Sequence, residues 1–454
     1  MKSKEKLILF ELNEVPPRLL NEFLKTTSLK GFKKIKKEGT YFETICRDEG
    51  ELHPWSTWPT VHRGVNNNIH KINFINQPLE KAKKNPPIWE ILSNNKITIG
   101  IFGSLQSYPP IKNKFVKFYL PDTFSPTPKA IPIQLEKFQE FNLNMAGANK
   151  ALSGNITPKN ILQMINMIFN RYFSFKTIFK FTKHLILEFF SQKYKKRRHF
   201  YQSILSFDIF FKNLKKYKPD YSSFFSNHVA ASMHRYWIDV FPEDFNLKKG
   251  NSFNKKTVIQ AMEIADIQLS KLVGFCDDNN YSLIVLSSMG QDKVFREDIK
   301  DLILFSFEKL CNFLNLDFRD YTLKPAMQPD ICIVSKNKSA MLSLLDAIFK
   351  IKDTNQNNII VKTYGPVDLS INIGLRTSKI LNVNNKIHYG NELFSLTEAG
   401  LKLVKIDIGT GYHIPNGIGL AYGNIAKNFT KTQKPLNTVK ILPKILDFFE
   451  IKRP

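Results

Sequence analysis

The strongest constraint on the fold of this chain is a set of short, continuously apolar segments separated by segments with helical periodicity. A continuously apolar strand has to be buried on both faces, which is typical of parallel sheets covered by helices. The sequence therefore predicts an α/β fold with a mostly parallel central sheet, in which functional residues gather at the carboxyl ends of the strands. The predicted strands are Lys6–Leu12, Ile97–Phe102, Tyr221–Ser226, Ser282–Ser287, Ile331–Ser335 and Gly417–Tyr422.

Two stretches interrupt the alternation of strands and helices. Residues 136–219 have a helical pattern and are rich in aromatic and basic side chains, and residues 300–400 lack a clear strand–helix rhythm. A length of 454 residues suits either one enlarged α/β domain or several domains. We expect one α/β domain formed by 1–135 and 220–454, a helical cap at 136–219, and a smaller insertion at 300–400 within the main domain.

The chain is strongly basic, with 66 Lys or Arg against 40 Asp or Glu and a net charge of +26. This excess invites a nucleic-acid partner, but the chain is also rich in Asn and Ile, a joint bias that genome composition can produce. Residues 161–218 alone hold 13 Lys or Arg against Glu188 and Asp208, a net of +11. Because the sequence shows no recognised RNA-binding module, nucleic acid is not the favoured partner.

The compartment is indicated by cysteines and apolar runs. Cys46, Cys276, Cys311 and Cys332 form no CxxC pair, which argues against a zinc ribbon or a disulfide scaffold. The longest apolar runs are far shorter than the roughly 18 residues of a membrane-spanning helix, and the basic N-terminus lacks the apolar core of a signal peptide. We expect a cytoplasmic protein, with peripheral attachment to a membrane left open.

Acidic and hydroxyl residues near two predicted element ends are the first candidates for chemistry. Glu11 lies at the end of the first strand, where an acid is costly unless it is paired, hydrogen-bonded or metal-bound; a solvated loop acid is the alternative. Thr57 lies in a segment dense in Trp and His, and a Pro two residues later suits the first turn of a helix. Its hydroxyl would face N–H groups that favour an anion, whereas in the simpler interpretation Ser56 or Thr57 only caps the helix.

Histidines follow the third strand and precede the last one. His228 and His234 come directly after Tyr221–Ser226, at a spacing that converges on one ion only if a turn intervenes. His413 lies in a turn-rich loop with glycines on both sides, which indicates a side chain positioned by its backbone rather than a core histidine. A single histidine is more often structural than a ligand. A metal site is therefore expected only if several of these histidines lie close together.

The order of these features resembles the alkaline phosphatase superfamily, in particular its type I phosphodiesterase/nucleotide pyrophosphatase branch. The matching features, from about residue 6 to 423, are Glu11, Thr57-Trp58-Pro59, Gly64-Val65-Asn66 with His70, Ile88–Leu92, Ile97–Phe102, His234 and His413. The resemblance implies an alkaline-phosphatase-like sheet, a Thr nucleophile at Thr57, a capping insertion and two metal ions, usually zinc. Family members with this motif order act on phosphate monoesters, phosphodiesters or sulfate esters.

Several positions depart from the family pattern. Ala230 stands where the family has a metal-binding Asp, and Ser288 and Met289 stand where it has an Asp-His pair. Since Ala230 cannot ligate an ion and Met289 cannot replace an imidazole at a hard Lewis-acid centre, we expect one divalent ion, with zinc favoured, rather than two. The expected ligands are Glu11, His228, His234 and His413, because three imidazoles and an open position make a catalytic zinc site.

Three functions are compatible with the sequence. The favoured one is a metal-dependent hydrolase or transferase of phosphate (di)esters, in which Thr57 attacks phosphorus with His53, His62 or Arg63 nearby to balance charge. The second is a catalytically inactive phosphatase-like protein that binds a phosphorylated ligand, and the third is a basic membrane-surface protein. The expected partner is a phosphorylated small molecule or a lipid-linked phosphate, and the basic, aromatic cap also suits an anionic membrane surface.

Overall fold

We analysed a computed structural model of the chain. The structure describes residues 5–148, 158–169, 171–295, 300–327, 330–353, 356–377, 386–404, 409–429 and 434–452. Within these ranges, no helix combines the length and the apolar character needed to cross a membrane.

The described residues form strands that fall into one large sheet and three smaller ones. In chain order they are β1 (Lys6–Leu12), β2 (Thr40–Ile45), β3 (Ile99–Phe102), β4 (Val116–Leu120), β5 (Tyr221–Ser226), β6 (Tyr281–Leu286), β7 (Gly290–Lys293), β8 (Lys300–Leu304), β9 (Tyr321–Lys324), β10 (Asp330–Ser335), β11 (Ile351–Lys352), β12 (Ile360–Val367), β13 (Ser370–Thr377), β14 (Lys386–Tyr389), β15 (Glu392–Ser395), β16 (Leu401–Val404), β17 (Gly411–Ile414), β18 (Asn416–Tyr422) and β19 (Leu436–Asn437).

Helices cover the large sheet and form the first insertion. They are α1 (Pro17–Thr26), α2 (Lys30–Glu38), α3 (Pro54–Arg63), α4 (Asn67–His70), α5 (Ile88–Asn94), α6 (Glu136–Ala148), α7 (Pro158–Phe169), α8 (Phe175–Phe190), α9 (Arg198–Tyr217), α10 (His228–Val240), α11 (Ser252–Asn279), α12 (Phe307–Phe313), α13 (Lys338–Ile348) and α14 (Ile441–Phe448).

The large sheet has the strand order β19-β2-β18-β6-β1-β5-β3-β4. All its pairings are parallel except the two made by β18. The central strands β6, β1 and β5 therefore end at the same edge, and the loops that leave them meet there. The predicted fold class, a mostly parallel sheet flanked by helices with a helical insertion, is confirmed.

Strand β1 shows how the two sides of the sheet are divided. Successive side chains of a strand point to opposite faces. Ile8 and Phe10 pack into the core on the side of α10 and α11, and Leu7 and Leu9 pack into the core that contains Trp58 of α3. Glu11 continues the second set, so its carboxylate points toward α3.

The segment from β8 to β16 builds a separate unit. Strands β16, β8, β13, β10 and β9, with β12 beside β13, form an antiparallel sheet that packs with α12 and α13 around its own apolar core. The predicted strand Ile331–Ser335 belongs here, as part of β10, and not to the parallel sheet. That part of the prediction was wrong, because a short apolar strand has the same local pattern in either kind of sheet.

Candidate functional site

The loop after β1 brings a carboxylate to the edge where the central strands end. Asn13 and Glu14 follow Leu12, and Glu14 adopts a left-handed backbone with a φ of 59°. Such a conformation is uncommon for a residue with a side chain and needs support from its surroundings. The Asn13 side-chain amide provides part of that support, donating to Glu14 Oε1 at 2.8 Å and to Asn227 Oδ1 at 2.7 Å.

Glu14 meets two histidines from distant parts of the chain. Its Oε2 lies 2.9 Å from His234 Nε2 and 3.5 Å from His413 Nε2. The candidate ligand atoms of the three residues all lie within 4.8 Å of one another, so they could hold one ion together. We call Glu14, His234 and His413 the metal cluster.

Three elements position this cluster. His234 lies on α10, which begins directly after β5, and His413 lies on β17. Strand β17 pairs with β7 so that His413 stands opposite Gln291. The Gln291 amide donates to Glu14 Oε2 and, at 3.2 Å, to the Ala230 carbonyl, which ties the carboxylate to both α10 and the β7–β17 pair.

The hydrogen bond at the far side of His234 determines which of its ring nitrogens carries a proton. His234 Nδ1 lies 2.9 Å from the Gly411 carbonyl oxygen, and a carbonyl can only accept, so Nδ1 carries the hydrogen. In the neutral imidazole, Nε2 then presents a lone pair toward Glu14. A lone pair 2.9 Å from a carboxylate oxygen is stable only with a cation between or beside them, either a proton or a metal ion.

The surroundings of Glu14 favour its ionised form. Burial alone would raise the pKa of the Glu14 carboxyl, but the charges of His413 and His234 and their hydrogen bonds outweigh burial and hold the pKa well below its ordinary value. The carboxylate is therefore available as an ionised ligand across the neutral pH range.

The residues of the metal cluster fit a divalent ion. Two imidazoles and one carboxylate are the protein ligands of several catalytic zinc sites, and a histidine that donates its second ring nitrogen to a carbonyl is the usual way such ligands are oriented. Glu14 is buried and His413 is half-buried, with 7% of its side chain exposed, whereas the His234 side chain is 32% exposed, so the cluster is accessible from the His234 side.

Glu11 and His62 form a different, internal pair. His62 Nε2 lies 2.8 Å from Glu11 Oε1, and the side chains are 1% and 0% exposed. Ser104 Oγ also donates to Glu11 Oε1 at 3.0 Å, while Glu11 Oε2 has no hydrogen-bond partner among the described residues. Glu11 is therefore neither the solvated loop acid nor a member of the metal cluster.

Thr57 lies on α3, whose ten residues are all buried. Its Oγ1 is 2.8 Å from Ser288 Oγ. The helix is capped by His53, and the His53 carbonyl accepts from the amides of Ser56 and Thr57. Neither Ser56 nor Thr57 is therefore the N-cap, and these two amides are occupied rather than directed at an anion.

A short path connects α3 to the metal cluster. Trp58 Nε1 donates to Asn13 Oδ1 at 2.8 Å, and the Asn13 amide donates in turn to Glu14. The segment around Thr57 is thus linked to the cluster by packing and hydrogen bonds, although Thr57 itself belongs to the interior.

Arg63 and His228, two further candidates, have structural partners. The Arg63 guanidinium donates to the carbonyls of Ala82 and Asn85, and burial lowers its pKa to about 10. His228 Nε2 donates to the Ala261 carbonyl at 2.8 Å, and His228 Nδ1 lies 2.9 Å from Ser226 Oγ. With both ring nitrogens engaged, His228 is held apart from the metal cluster.

Sequence reasoning missed Glu14, Asn13 and Gln291. Glu14 lies three residues after Glu11, and Glu11 was predicted as the metal ligand because it lies at the end of the strand. The period of two along β1 could have separated them, because Glu11 continues the buried face of Leu7 and Leu9 while Glu14 lies beyond the last paired residue. Nothing local marks Gln291, whose role depends on its pairing with His413.

No protein-family model matches the chain, and no curated protein matches it. Among solved structures, human ectonucleotide pyrophosphatase/phosphodiesterase 5 aligns over 99% of this chain and 96% of its own, with 12% identity and a TM-score of 0.43. The murine protein aligns over the same shares with 13% identity and a TM-score of 0.42. An inactive form of the murine protein in complex with AMP aligns with 13% identity and a TM-score of 0.43.

These matches extend along both chains. Identities of 12–13% and TM-scores of 0.42–0.43 are low. What the site can do therefore follows from its own residues.

Proposed function

We propose that this chain is a hydrolase or transferase of phosphate esters that uses one divalent metal ion held by Glu14, His234 and His413. The observation that carries the proposal is the His234 geometry, in which Nδ1 is committed to the Gly411 carbonyl and Nε2 points at the Glu14 carboxylate. Glu14 takes the place of Glu11 and His228 in the ligand set expected from the sequence.

A divalent ion at this site would polarise a phosphoryl oxygen and lower the pKa of a bound water or hydroxyl. The donor set of two imidazoles and one carboxylate favours zinc. The chain's own residues orient the ligands: Gly411 holds the His234 ring, and Gln291 and Asn13 hold the two oxygens of Glu14.

Thr57 remains the proposed nucleophile, on the strength of the motif that surrounds it in the sequence. Its hydroxyl is fully buried beside Ser288, so attack requires that the N-terminal end of α3 become accessible. That end is contacted by Tyr364 of β12, whose hydroxyl lies 2.9 Å from His53 Nε2. The unit that contains β12 would then have to move for substrate to reach Thr57.

The proposed substrate is a phosphorylated small molecule or a lipid-linked phosphate. The basic excess of 161–218 attracts anions in general and does not distinguish between the two. A nucleoside monophosphate and an aryl phosphodiester are suitable first probes, because one tests binding and the other tests turnover.

The deciding experiment measures metal content and hydrolysis on the same protein. We expect about one equivalent of zinc by elemental analysis, and metal-dependent hydrolysis of bis(p-nitrophenyl) phosphate. His413→Ala should lose both, whereas the matched control His388→Ala, on β14 of the second unit, should keep both. Thr57→Ala should keep the metal and lose hydrolysis.

The results against the proposal are equally specific. Less than about a tenth of an equivalent of any divalent metal, with no hydrolysis after metal is added, contradicts it. Hydrolysis that survives in Thr57→Ala contradicts the role of Thr57 but not that of the cluster.

A second candidate function is the binding of a phosphorylated ligand without catalysis. The burial of Thr57 and the presence of buried Ser288 and Met289 where the family has an Asp-His pair favour it. This function predicts that metal and AMP bind, that His413→Ala abolishes metal binding, and that no phosphate ester is turned over by the wild-type protein.

A further inference from the structure

Helix α8 exposes large apolar side chains while it buries several polar ones, and Ile178 and Phe181 on its inner side pack against the core. Its buried positions include Thr177, His184 and Glu188. A helix on a soluble domain normally buries its apolar stripe and exposes its polar face. On α8, large apolar side chains point to solvent instead.

The exposed apolar residues share one side of the helix, with the exposed Thr182 among them. The exposed fractions are 91% for Phe175, 70% for Phe179, 52% for Ile186, 84% for Phe189 and 78% for Phe190. At 3.6 residues per turn, these five positions fall within about 100° of arc along a helix about 24 Å long. We call them the outer face of α8.

The inner face of α8 is held by polar contacts to α9. The Arg198 guanidinium donates to both oxygens of Glu188, and His184 Nε2 lies 2.6 Å from Glu188 Oε1. The His184 ring also packs on Tyr201, with centroids 4.3 Å apart. These contacts fix the rotation of α8 about its own axis. The packing of the inner face against α9 therefore keeps the outer face exposed to solvent.

Basic residues border the outer face. Lys176 and Lys183 are exposed and lie about 80–100° around the axis from Phe175, directly beside the apolar stripe. The surrounding segment 161–218 carries a net charge of +11. The preceding helix α7 exposes further apolar side chains, among them Leu162 and Phe169.

We propose that the outer face of α8 lies in the interface of an anionic lipid bilayer. Aromatic and aliphatic side chains on one helix face insert at the level of the acyl boundary, and flanking lysines contact acidic headgroups. Large apolar side chains exposed together on a protein surface mark an interaction surface. This proposal does not depend on the metal cluster.

Charge determines the choice of partner. A second copy of the chain would bring two segments of net +11 together, and like charges at an interface oppose association. An anionic bilayer supplies apolar volume for the phenylalanines and negative charge for the lysines at the same place. A nucleic acid would match the lysines but leave the large aliphatic part of the stripe in water.

The test is sedimentation of the full chain with vesicles, either pure phosphatidylcholine or phosphatidylcholine with about 30% phosphatidylserine. We expect binding to the anionic vesicles to be at least fivefold stronger. The variant Phe175→Ser/Phe179→Ser/Phe189→Ser should weaken that binding at least tenfold. The matched control Phe295→Ser/Phe305→Ser/Phe318→Ser, which changes three other exposed phenylalanines, should bind like the wild type.

A second pair of variants tests the charges. Lys176→Glu/Lys183→Glu should weaken binding to anionic vesicles at least fivefold, whereas Lys248→Glu/Lys249→Glu, with the same change in net charge at exposed positions, should have little effect. All variants are compared by far-ultraviolet circular dichroism.

Several outcomes would overturn the proposal. These are wild-type protein that stays in the supernatant, a Phe variant that binds like the wild type, and a control variant that loses as much binding as the Phe variant. A dimer in solution that the Phe variant dissociates, without vesicle binding, would assign the outer face to a second copy. A single-stranded RNA bound in preference to vesicles would assign it to nucleic acid.

Discussion

Two clusters in this protein contain a carboxylate and an imidazole at the same distance scale, yet their surroundings differ. Glu11 and His62 are 2.8 Å apart between β1 and α3, with Ser104 as a further donor. Glu14 and His234 are 2.9 Å apart at the end of the sheet, with His413 close to both and a carbonyl fixing the His234 tautomer. The first pair is sealed, and the second is accessible from solvent.

Under the proposed function, chemistry and stability are divided between neighbouring residues of one strand and its loop. Glu11 faces the interior because it continues the alternation of β1, and a sealed pair can only stabilise or destabilise the fold. Glu14 lies beyond the strand, where side chains from α10 and β17 converge.

The largest expected effect is on stability at the sealed pair. His62→Ala should lower the free energy of unfolding by about 3–5 kcal/mol, because it leaves the buried Glu11 carboxylate with Ser104 as its remaining donor. Urea denaturation measures this. His62→Gln, which can still donate to Glu11, should recover most of the loss, and metal binding should be unchanged in both. A metal-binding defect in His62→Gln would show that the Glu11–His62 pair and the metal cluster act as one site.

The next largest effect is on metal affinity at the accessible cluster. Glu14→Gln keeps the shape but removes the charge of the ligand, and losing a ligand should weaken zinc binding by more than the 10–100-fold typical of residues that only orient ligands. Competition with a chromophoric chelator measures the affinity. Glu11→Gln is the matched control and should bind zinc like the wild type. Equal losses of zinc affinity in Glu14→Gln and Glu11→Gln would show that Glu14 is not a ligand distinct from Glu11.

His228 tests whether a histidine near the cluster behaves as an internal residue. Burial lowers its pKa to about 4 in the folded protein, whereas an unfolded histidine titrates near 6.5. A depressed pKa means that the stabilising contribution is present above about pH 6.5 and is lost as the pH falls toward 4.

The wild type should therefore lose about 2–3 kcal/mol more than His228→Gln between pH 7.5 and 4.5, measured as unfolding free energy in urea. Glutamine can keep the hydrogen bond to the Ala261 carbonyl but cannot titrate. Parallel pH profiles for the two proteins would show that His228 is not the buried neutral residue described here.

The smallest effect is expected at Arg63. Lysine can replace only part of the guanidinium contacts to the carbonyls of Ala82 and Asn85, so Arg63→Lys should cost about 1–2 kcal/mol of stability. AMP binding, measured by calorimetry, should not change, because Arg63 is committed to these carbonyls. Arg319→Lys, at an exposed ion pair with Asp317, is the control and should leave stability nearly unchanged. A large loss of AMP affinity in Arg63→Lys would show that Arg63 contacts the phosphorylated ligand, as the sequence predicted.

The predicted strands of the central sheet were close to the structure. Lys6–Leu12 and Tyr221–Ser226 coincide with β1 and β5, and Ile97–Phe102 starts two residues before β3. Ile331–Ser335 failed because an apolar run of five residues carries no information about which sheet it joins. The domain limits at 136–219 and 300–400 stay predictions.

The candidate site was only partly predictable. His234 and His413 emerged because strand ends and glycine-rich loops are where a parallel sheet places functional side chains. Glu11, His62 and Arg63 also lie near such an end, but their partners, which bury them, come from positions 51, 19 and 22 residues away. No local pattern reports partners at that distance.

By itself, the sequence determined the strands β1, β3, β5, β6 and β18 of the large sheet, since hydrophobic periodicity follows directly from the residues. It also determined the basic, aromatic character of α8. Only the tertiary structure decided that Glu14 rather than Glu11 meets His234 and His413, because that meeting joins segments more than 170 residues apart. It also decided that α8 turns its phenylalanines outward, because the Arg198–Glu188 contact fixes which face of the helix is buried. Hydrophobic periodicity determines which residues share a helix face, and contacts with distant parts of the chain determine whether that face is buried or exposed.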